Sequence, residues 1–163
     1  MPISSEDYRD ALRHFPSGVT VVTIKAGDVV HGLTVSAFAS VSPDPPLVAV
    51  IIDHRHQAHP LLETAGASFA VNILRHEQVE ISNRFAWLKD EERFQEGLWS
   101  TGPTGAPVLP TALAWMDCTV SGRHAAGSHT IYTGEVQASF SAADGNPLIY
   151  WNRGYRHLAT HEG

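Results

Sequence analysis

Cysteine and long apolar runs are scarce or missing in this sequence of 163 residues. Cys118 is the single cysteine, so an internal disulfide and a multi-cysteine zinc or iron–sulfur site are excluded. Any redox chemistry therefore has to come from a bound cofactor. No apolar run approaches the ~20 residues that a membrane-spanning helix needs, and we expect no membrane partner. The N-terminal segment MPISSEDYRD lacks a basic stretch followed by an apolar one, which predicts no secretory signal and favours the cytoplasm.

Positive charge is scarce as well. The chain has 11 lysines and arginines against 17 acidic residues, a formal net charge of −6 and an isoelectric point near 5.9. Because the basic patch of a nucleic-acid binder is missing, DNA and RNA are not expected partners. The sequence also has no G-x-G-x-x-G, G-x-x-x-x-G-K-[ST], G-x-S-x-G or H-E-x-x-H motif. Rossmann, P-loop, nucleophile-elbow and zinc-protease sites are therefore not predicted.

Most of the chain shows the composition and periodicity of β-strands. Strands are predicted at residues 19–25, 29–35, 47–52, 68–74, 112–123, 129–140 and 147–151. Helices are predicted at residues 4–15, 60–65 and 76–87, and the Gly- and Pro-rich region 90–110 is expected to meander. Because most connections are too short for crossover helices, these strands predict an antiparallel barrel. We expect one mainly β domain with peripheral helices over residues 1–163.

The segment DHRHQAHP, residues 53–60, holds three histidines and a carboxylate. On a strand, His54 and His56 share a face and His59 falls on the other. On a helix that begins near His56, His56 and His59 align and His54 drops out. No single regular element gathers all three, which favours a polar loop after a buried strand over a metal site. A His-ligated, metal-dependent β-barrel enzyme stays open as an alternative.

The stretch GLTVSAFASVSPDPP, residues 32–46, alternates small hydroxyl residues with apolar ones. One interpretation is an edge strand with a polar outer face. The other is a backbone platform for a flat ligand, with Ser and Thr hydroxyls as hydrogen-bond donors. The pattern alone leaves both open.

Seven segments of the chain carry a resemblance to a known family: FPSGVTVVT, GLTVSAFASVSPDPPLV, SFAVNIL, SNRFA, LAWMDCTV, GSHTIYTGEV and PLIYWNRGYRHL. Together, from about Phe15 to Leu158, they are similar to the short-chain flavin reductases, the reductase components of two-component flavin monooxygenases. The resemblance implies an FMN-binding split β-barrel, a homodimer, and reduction of FMN or FAD by NADH or NADPH. It also implies that reduced flavin diffuses to a separate flavin-dependent monooxygenase.

The resemblance further implies which residues hold the flavin. The isoalloxazine ring is expected to lie against Thr34, Val35, Ser36, Ala37 and Phe38. The ribityl-phosphate end is expected at Ser40, Val41 and Ser42. In SNRFA, Arg84 and Phe85 match the family's flavin-contacting pair, and the planar donor fork of an arginine suits a phosphate.

The loop that follows the 47–52 strand usually carries a Ser-x-[Ser/Thr] pattern in the family. Here His56, Gln57 and Ala58 stand at those positions. The resemblance therefore implies that the loop's substituted donors meet the phosphate or adenylate end of the flavin: Arg55, His56, Gln57 and His59.

His129 matches the histidine of the family's Gly-Asp-His motif, which meets the nicotinamide, and is the expected catalytic residue. The triplet here is Gly-Ser-His, so the acidic neighbour that would fix the state of the imidazole is missing. A flavin-binding protein with another redox substrate therefore stays open as an alternative. Arg153 and Tyr155 match a C-terminal segment that closes near the nicotinamide. Structural roles, in the core or the dimer interface, are expected for Cys118, Trp87, Trp99, Trp115 and Trp151.

Overall fold

The computed structural model describes residues 2–159. Within them the elements follow in the order α1 Ser5–Leu12, β1 Ser17–Gly18, β2 Thr20–Ala26, β3 Val29–Val35, β4 Phe38–Pro43, β5 Pro46–Asp53, α2 Ala58–Leu62, β6 Ser68–Ile73, α3 Val79–Trp87, α4 Asp90–Arg93, β7 Ser100–Thr101, β8 Pro107–Val108, β9 Ala114–Ala126, β10 His129–Ser141, β11 Ile149–Trp151 and β12 Gly154–Arg156. In this part of the chain, no helix has the length and apolar character that crossing a bilayer requires.

Seven of the strands form one antiparallel sheet in the order β3-β2-β6-β9-β10-β5-β4. The predicted mainly β, antiparallel architecture is thereby confirmed. The middle of the sheet is a long hairpin of β9 and β10, which correspond to the predicted strands 112–123 and 129–140 and turn at Gly127 with φ of 60°. A side chain at Gly127 would be strained in this left-handed conformation. On one side of the hairpin β10 pairs with β5, and on the other side β9 pairs with β6.

The hydrophobic core is divided between the two sides of this sheet. The larger cluster lies inside the curved sheet and under α2, and includes Val22, Ile24, Val50, Ile52, Phe69, Cys118 and Tyr132. A second cluster lies between the sheet and α3 and includes Val19, Leu74, Phe85, Leu109 and Leu148. Cys118 is fully buried in the first cluster. Burial, and secondly the charge of Asp117, raises the pKa of its thiol to about 12.

The stretch 32–46 forms two strands rather than one. A tight turn separates them, in which the Phe38 amide donates to the Ser36 carbonyl at 3.0 Å. β3 ends before the turn and β4 begins after it, and the two strands lie at the two edges of the seven-stranded sheet. The sheet curves so that two adjacent residues, Ser36 and Ala37, connect its edges.

The remaining elements differ from the predictions mainly at their ends. The N-terminal helix begins as expected, with the Ser4 hydroxyl accepting from the Asp7 amide at 3.0 Å, but it ends at Leu12. α2 begins two residues earlier and ends three residues earlier than predicted. The predicted last strand is β11, which joins β1 and β12 in a separate small sheet. The region expected to meander contains α4 and the short β7–β8 pair.

Candidate active site

A groove opens on the outer face of the sheet, where the chain passes from β3 to β4. Its volume is about 490 Å³, within the range of about 300–1,000 Å³ that is usual for small-molecule sites. The exposed residues Ser36 and Ala37 line it together with Phe38 and with Ile51 of β5. Ile51 is 38% exposed although its neighbours along β5 are buried, because side chains alternate between the two faces of a strand. The groove is therefore an outer-face feature, separate from the core.

The C-terminal segment forms a wall of this groove together with α1. Two hydrogen bonds hold this segment against the residues that follow α1. The Trp151 indole donates to the His14 carbonyl at 3.0 Å, and the Asn152 amide donates to the Arg13 carbonyl at 3.0 Å. Asn152 and Arg153 have positive φ values of 47° and 62°. Such a conformation is costly for residues other than glycine and often marks a functional turn. The turn places Arg153 in the lining of the groove.

A chain of hydroxyl groups connects β3, α3 and β12 beside the groove. The Thr34 hydroxyl donates to the Ser82 carbonyl at 2.6 Å. The Ser82 hydroxyl lies 2.8 Å from the Tyr155 phenol, which in turn donates to Asn83 Oδ1 at 2.9 Å. These contacts fix Tyr155 at a small cavity of about 170 Å³ that also reaches Ser36.

Trp87, the last residue of α3, lines the same small cavity. Its side chain is 82% exposed, which is unusual for an indole, since its large apolar ring is normally covered. Trp87 is therefore not a core residue, and its expected place in the dimer interface stays a prediction. The sequence signal that could have found it is its position directly after SNRFA.

His129 begins β10 and faces the same side of the sheet as the groove. It pairs with Asp53, while Ile131 pairs with the groove residue Ile51. Because residues two apart on a strand share a face, His129 and Ile131 both project toward the groove side. The imidazole Nδ1 lies 2.9 Å from the Ser128 hydroxyl, which is the residue that stands in place of the missing acid.

Comparison with known proteins connects this groove to a family. The family model described as "Flavin reductase like domain" matches residues 12–159. The chain belongs to the flavin reductase-like family.

Two relatives and one solved structure show how far the likeness extends. An actinorhodin polyketide dimerase of Streptomyces coelicolor is 38% identical over 95% of this chain and 87% of its own. The reductase component of 4-hydroxyphenylacetate 3-monooxygenase of Thermus thermophilus is 38% identical over 94% of this chain and 96% of its own. The NADH:FAD oxidoreductase SgcE6 of Streptomyces globisporus, solved with NAD and FAD fragments, superposes with a TM-score of 0.90 at 29% identity, over 100% of this chain and 99% of that one. The fold is thus the split barrel of the flavin reductases.

In this flavin reductase-like chain the predicted ring-contacting residues lie in three different places. Ser36, Ala37 and Phe38 line the large groove. Thr34, two residues before Ser36 in the sequence, lines the small cavity. Val35 points into the core with 6% exposure, so only its backbone is available to a ligand.

Arg84 and Phe85 do not lie in the open groove. Arg84 is half-buried, and its guanidinium donates to the Glu92 carbonyl at 2.8 Å and to the Glu80 carboxylate at 3.1 Å. Phe85 is 1% exposed and packs under β3. The expectation that the Phe85 ring touches the flavin is corrected by this placement, because a ring that is covered on all sides cannot contact a ligand.

Ser40, Val41 and Ser42 also lie apart from the groove. They line another cavity, of about 460 Å³, on the far part of β4. The Ser42 hydroxyl is occupied in the turn that follows, where it donates to the Asp44 carbonyl at 3.0 Å and accepts from the Asp44 amide at 3.2 Å. The expected phosphate contacts of this segment therefore have no support from the groove geometry, whose lining along β4 ends at Ala39.

The side chains of the loop that holds the three histidines, residues 53–60, point in different directions. Arg55 is exposed and pairs with Asp53, with 2.6 Å between its Nη2 and the Asp53 Oδ2. His56 is half-buried, accepts from the Ala58 amide through Nδ1 at 3.3 Å, and has its ring centroid 5.7 Å from that of His31. Gln57 is exposed. Arg55 and Gln57 are thus accessible donors, whereas His56 helps to begin α2.

His54 and His59 lie together on the core side of the sheet, away from the groove. Their ring centroids are 4.6 Å apart. His54 bonds to the Thr130 hydroxyl at 3.0 Å, and His59 bonds to the buried Tyr132 phenol, which donates to Glu63 at 2.7 Å. The imidazole of His59 connects α2 to β10, and it also lines a separate cavity of about 350 Å³, so its expected flavin contact stays a prediction.

The rival metal site can be tested directly on this geometry. Among residues 2–159, no three side chains of the His, Cys, Asp and Glu types come close enough together to hold a metal ion. The structure pairs His54 with His59 and places His56 beside His31, a grouping that neither the strand nor the helix interpretation predicted.

Proposed function

We propose that this protein is an NADH- or NADPH-dependent flavin reductase, which reduces FMN or FAD and supplies diffusible reduced flavin to a separate flavin-dependent monooxygenase. The observation that carries the proposal is the outer-face groove at the β3–β4 turn, with His129 projecting from the same face. Membership of the flavin reductase-like family gives that groove its chemistry.

The residues of the groove fit a flavin. Its floor is the exposed backbone at Ser36 and Ala37, against which a planar ring can lie, and its apolar rim includes Phe15 and Ile51. Polar groups suited to the ribityl chain or a phosphate are available from Arg153 and Tyr155 at the C-terminal wall, and Arg55 and Gln57 are exposed beyond β5. A fixed guanidinium is the side chain best matched to phosphate oxygens.

The hydride transfer requires few chemical groups from the protein. When bound, the flavin and the nicotinamide supply the hydride transfer, and no protein acid–base pair is needed. The side chains bind, orient and exclude water. Holding two reactants in near-attack geometry is worth up to about 7–11 kcal/mol in favourable cases, and Ser36, Ala37 and Trp87 form surfaces for that purpose. His129 orients the nicotinamide, in which role we retain it as the proposed catalytic residue.

Three properties complete the proposal. The protein acts as a homodimer, which is supported by the apolar residues exposed along α1 and the C-terminal wall, Tyr8, Leu12 and Trp151 among them. Residues 1–163 act as one flavin reductase domain. The reaction takes place in the cytoplasm, where an unpaired cysteine such as Cys118 is usual.

Anaerobic mixing tests the function. Purified protein, FMN or FAD, and NADH or NADPH are combined without oxygen, and the flavin absorbance near ~450 nm is followed, since its loss reports reduction of the cofactor itself. We expect catalytic bleaching with at least one pairing and no effect of EDTA, because hydride transfer between nicotinamide and flavin requires no metal. No bleaching with any of the four pairings would remove the reductase function, and inhibition by EDTA would favour the metal-dependent alternative.

The affinity for flavin gives a second test. A reductase that releases its product has to bind flavin reversibly, and we expect a dissociation constant in the micromolar range, which corresponds to about −8 kcal/mol. A flavin that stays stoichiometrically bound through extensive dialysis would contradict a diffusible product. It would instead favour a flavoprotein that acts on another redox substrate, a possibility that the likeness to a polyketide dimerase keeps open.

A further inference from the structure

Three of the nine arginines of this chain line the groove. They are Arg9 and Arg13 of the N-terminal segment and Arg153 of the C-terminal wall, and the described residues that line the groove include no acidic one. FMN, FAD and the nicotinamide dinucleotides all carry negatively charged phosphates, whereas the chain as a whole has a net charge of −6. A local group of cations is therefore what allows this groove to attract such a ligand.

Two elements bring the three guanidinium groups to one end of the groove. Arg9 and Arg13 are four residues apart, and because Arg13 continues the helical conformation of α1, both lie on the same side of the helix. The turn at Asn152 and Arg153 has positive φ values of 47° and 62°. The Asn152 amide donates to the Arg13 carbonyl at 3.0 Å. This costly backbone conformation thus holds Arg153 next to the end of α1.

The acceptors of the protein do not saturate these guanidinium groups. The Oδ1 atom of Asp10 lies 3.4 Å from Arg13 Nη1 and 3.5 Å from Arg153 Nη2. Both distances are longer than the about 2.7–2.9 Å of a strong charge-assisted hydrogen bond. Arg13 Nε is buried and has no hydrogen-bond partner in the described part of the chain. Arg9 donates to the Ser5 hydroxyl at 3.5 Å, so one carboxylate faces three cations.

The chemistry of this cluster fits a ligand with more than one phosphate. A guanidinium binds phosphate oxygens through two parallel hydrogen bonds. Because Arg13 and Arg153 approach the same carboxylate oxygen, they are close enough for two linked phosphates to contact both. A diphosphate presents two adjacent groups of negative charge, and it is the element that NADH, NADPH and FAD share and that FMN lacks.

We propose that Arg9, Arg13 and Arg153 form a diphosphate-binding site in the wall of the groove, which selects dinucleotides over mononucleotides. Asp10 weakens this site in the free protein, because its carboxylate competes with the ligand for Arg13 and Arg153. The proposal rests on the reductase function proposed above for the identity of the ligand, a pyridine dinucleotide or FAD. Both carry the same diphosphate, and binding measurements separate them.

Binding without turnover tests the site. Dissociation constants are measured by isothermal titration calorimetry for ADP and AMP, which differ by one phosphate. The same is done for NAD+ against nicotinamide mononucleotide, and for FAD against FMN. We expect Arg9→Gln/Arg13→Gln and Arg153→Gln each to raise the dissociation constant of ADP roughly tenfold, because charge-assisted hydrogen bonds are lost, and that of AMP less than about threefold.

Two further variants have different expected results. Lys89→Gln also removes one positive charge, but Lys89 is exposed and lies outside the lining of the groove. The dissociation constant of ADP should therefore stay within about twofold of the wild-type value. Asp10→Asn removes the carboxylate that faces Arg13 and Arg153, and we expect it to bind ADP roughly threefold more tightly. Such a gain in affinity cannot result from a damaged fold.

The outcomes are distinct. Wild-type protein that binds ADP no more tightly than AMP would overturn the proposal. So would an unchanged ADP affinity in the arginine variants, an equal loss for the mononucleotides, or no gain in Asp10→Asn. Weaker binding of NAD+ in the arginine variants assigns the site to the pyridine nucleotide, and weaker binding of FAD assigns it to the flavin. If ADP binds as expected but wild-type protein bleaches no flavin, the site stands and the reductase function fails.

Discussion

Phe85 and Phe15 provide a reciprocal test of where the flavin lies. Phe85 is 1% exposed and packs edge-to-face against Phe94 and Trp99, with centroid distances of 5.0 and 5.2 Å. Phe15 is 75% exposed and lines the groove. The resemblance predicted a flavin contact for Phe85, whereas the structure gives the accessible ring to Phe15. Truncating each ring to alanine should therefore affect different properties of the protein.

The loss of unfolding free energy expected for Phe85→Ala follows from the packing around the ring. Removing a buried phenylalanine side chain typically lowers the free energy of unfolding by about 3–5 kcal/mol, since both the transfer term and the new cavity contribute. Two edge-to-face partners place Phe85 in the upper part of that range. At about 2–4 °C per kcal/mol for a chain of this size, the melting temperature should fall by roughly 8–20 °C. Phe85→Leu, which fills much of the cavity, should lose about 1–2 kcal/mol and supplies a folded variant if the alanine variant does not fold.

Phe15→Ala is expected to change the affinity for flavin and not the stability of the protein. An exposed side chain contributes little to stability, so the free energy of unfolding should change by less than about 0.5 kcal/mol. Loss of one aromatic contact, about 0.5–1.5 kcal/mol, should raise the flavin dissociation constant by roughly 2–13-fold.

Thermal unfolding and fluorescence titration with FMN and FAD, both on purified folded protein, measure the two effects. The expected pattern is a lower melting temperature with unchanged flavin affinity for the Phe85 variants, and the opposite for Phe15→Ala. Weakened flavin binding by Phe85→Leu at an unchanged melting temperature would refute the assignment of Phe85 to the core. Unchanged flavin affinity in Phe15→Ala would refute the placement of the ring in the groove.

Three further perturbations test other parts of the structure. Trp87→Ala should remove most of the flavin-induced quenching of tryptophan fluorescence, and equal quenching in wild type and variant would exclude a contact with the ligand. Gly32→Ala places a methyl group 2.5 Å from Phe85 Cε1 and should cost about 1–3 kcal/mol of unfolding free energy, whereas Gly18→Ala, with no atom within 4 Å, should leave stability unchanged. Because burial raises the pKa of Cys118 to about 12, the unfolded chain ionises first as the pH rises above 9, so stability should fall there by up to about 1.4 kcal/mol per pH unit. Burial also raises the pKa of Tyr132, so the control is a shallower fall, measured by chemical denaturation, in Cys118→Ala.

Periodic segments of the chain could be predicted from the sequence because their signals are local. The strands of the β9–β10 hairpin show the composition of strands, and Gly127 marks the turn between them. The same holds for β5, whose apolar run from Leu47 to Ile52 is continuous. Element ends were less accurate, as at Leu12, because the cap at Ser4 is visible in the sequence and the C-terminal end of α1 has no comparable signal.

The candidate site depends on contacts that the sequence does not display. A pattern shared by two strands could not show that the chain turns back at Ser36 and Ala37. Nor could it show that Phe85 lies under Gly32 while Trp87, two residues later, is exposed, since this depends on how α3 is rotated against the sheet. The pairing of Asp53 with His129 joins residues 76 positions apart, and it follows from the register of β5 and β10 alone.

The burial of Cys118 has a consequence for an enzyme that releases reduced flavin. Free reduced flavin reacts with oxygen, and the peroxide formed attacks thiolates first, through sulfenic acid to irreversibly oxidised forms. The one cysteine of this chain is fully buried and keeps its proton over the physiological range. A thiolate is the reactive species. The peroxide that forms from released reduced flavin therefore finds no cysteine thiolate on the surface of the protein. The fold thereby protects the catalyst from the by-product of its own activity.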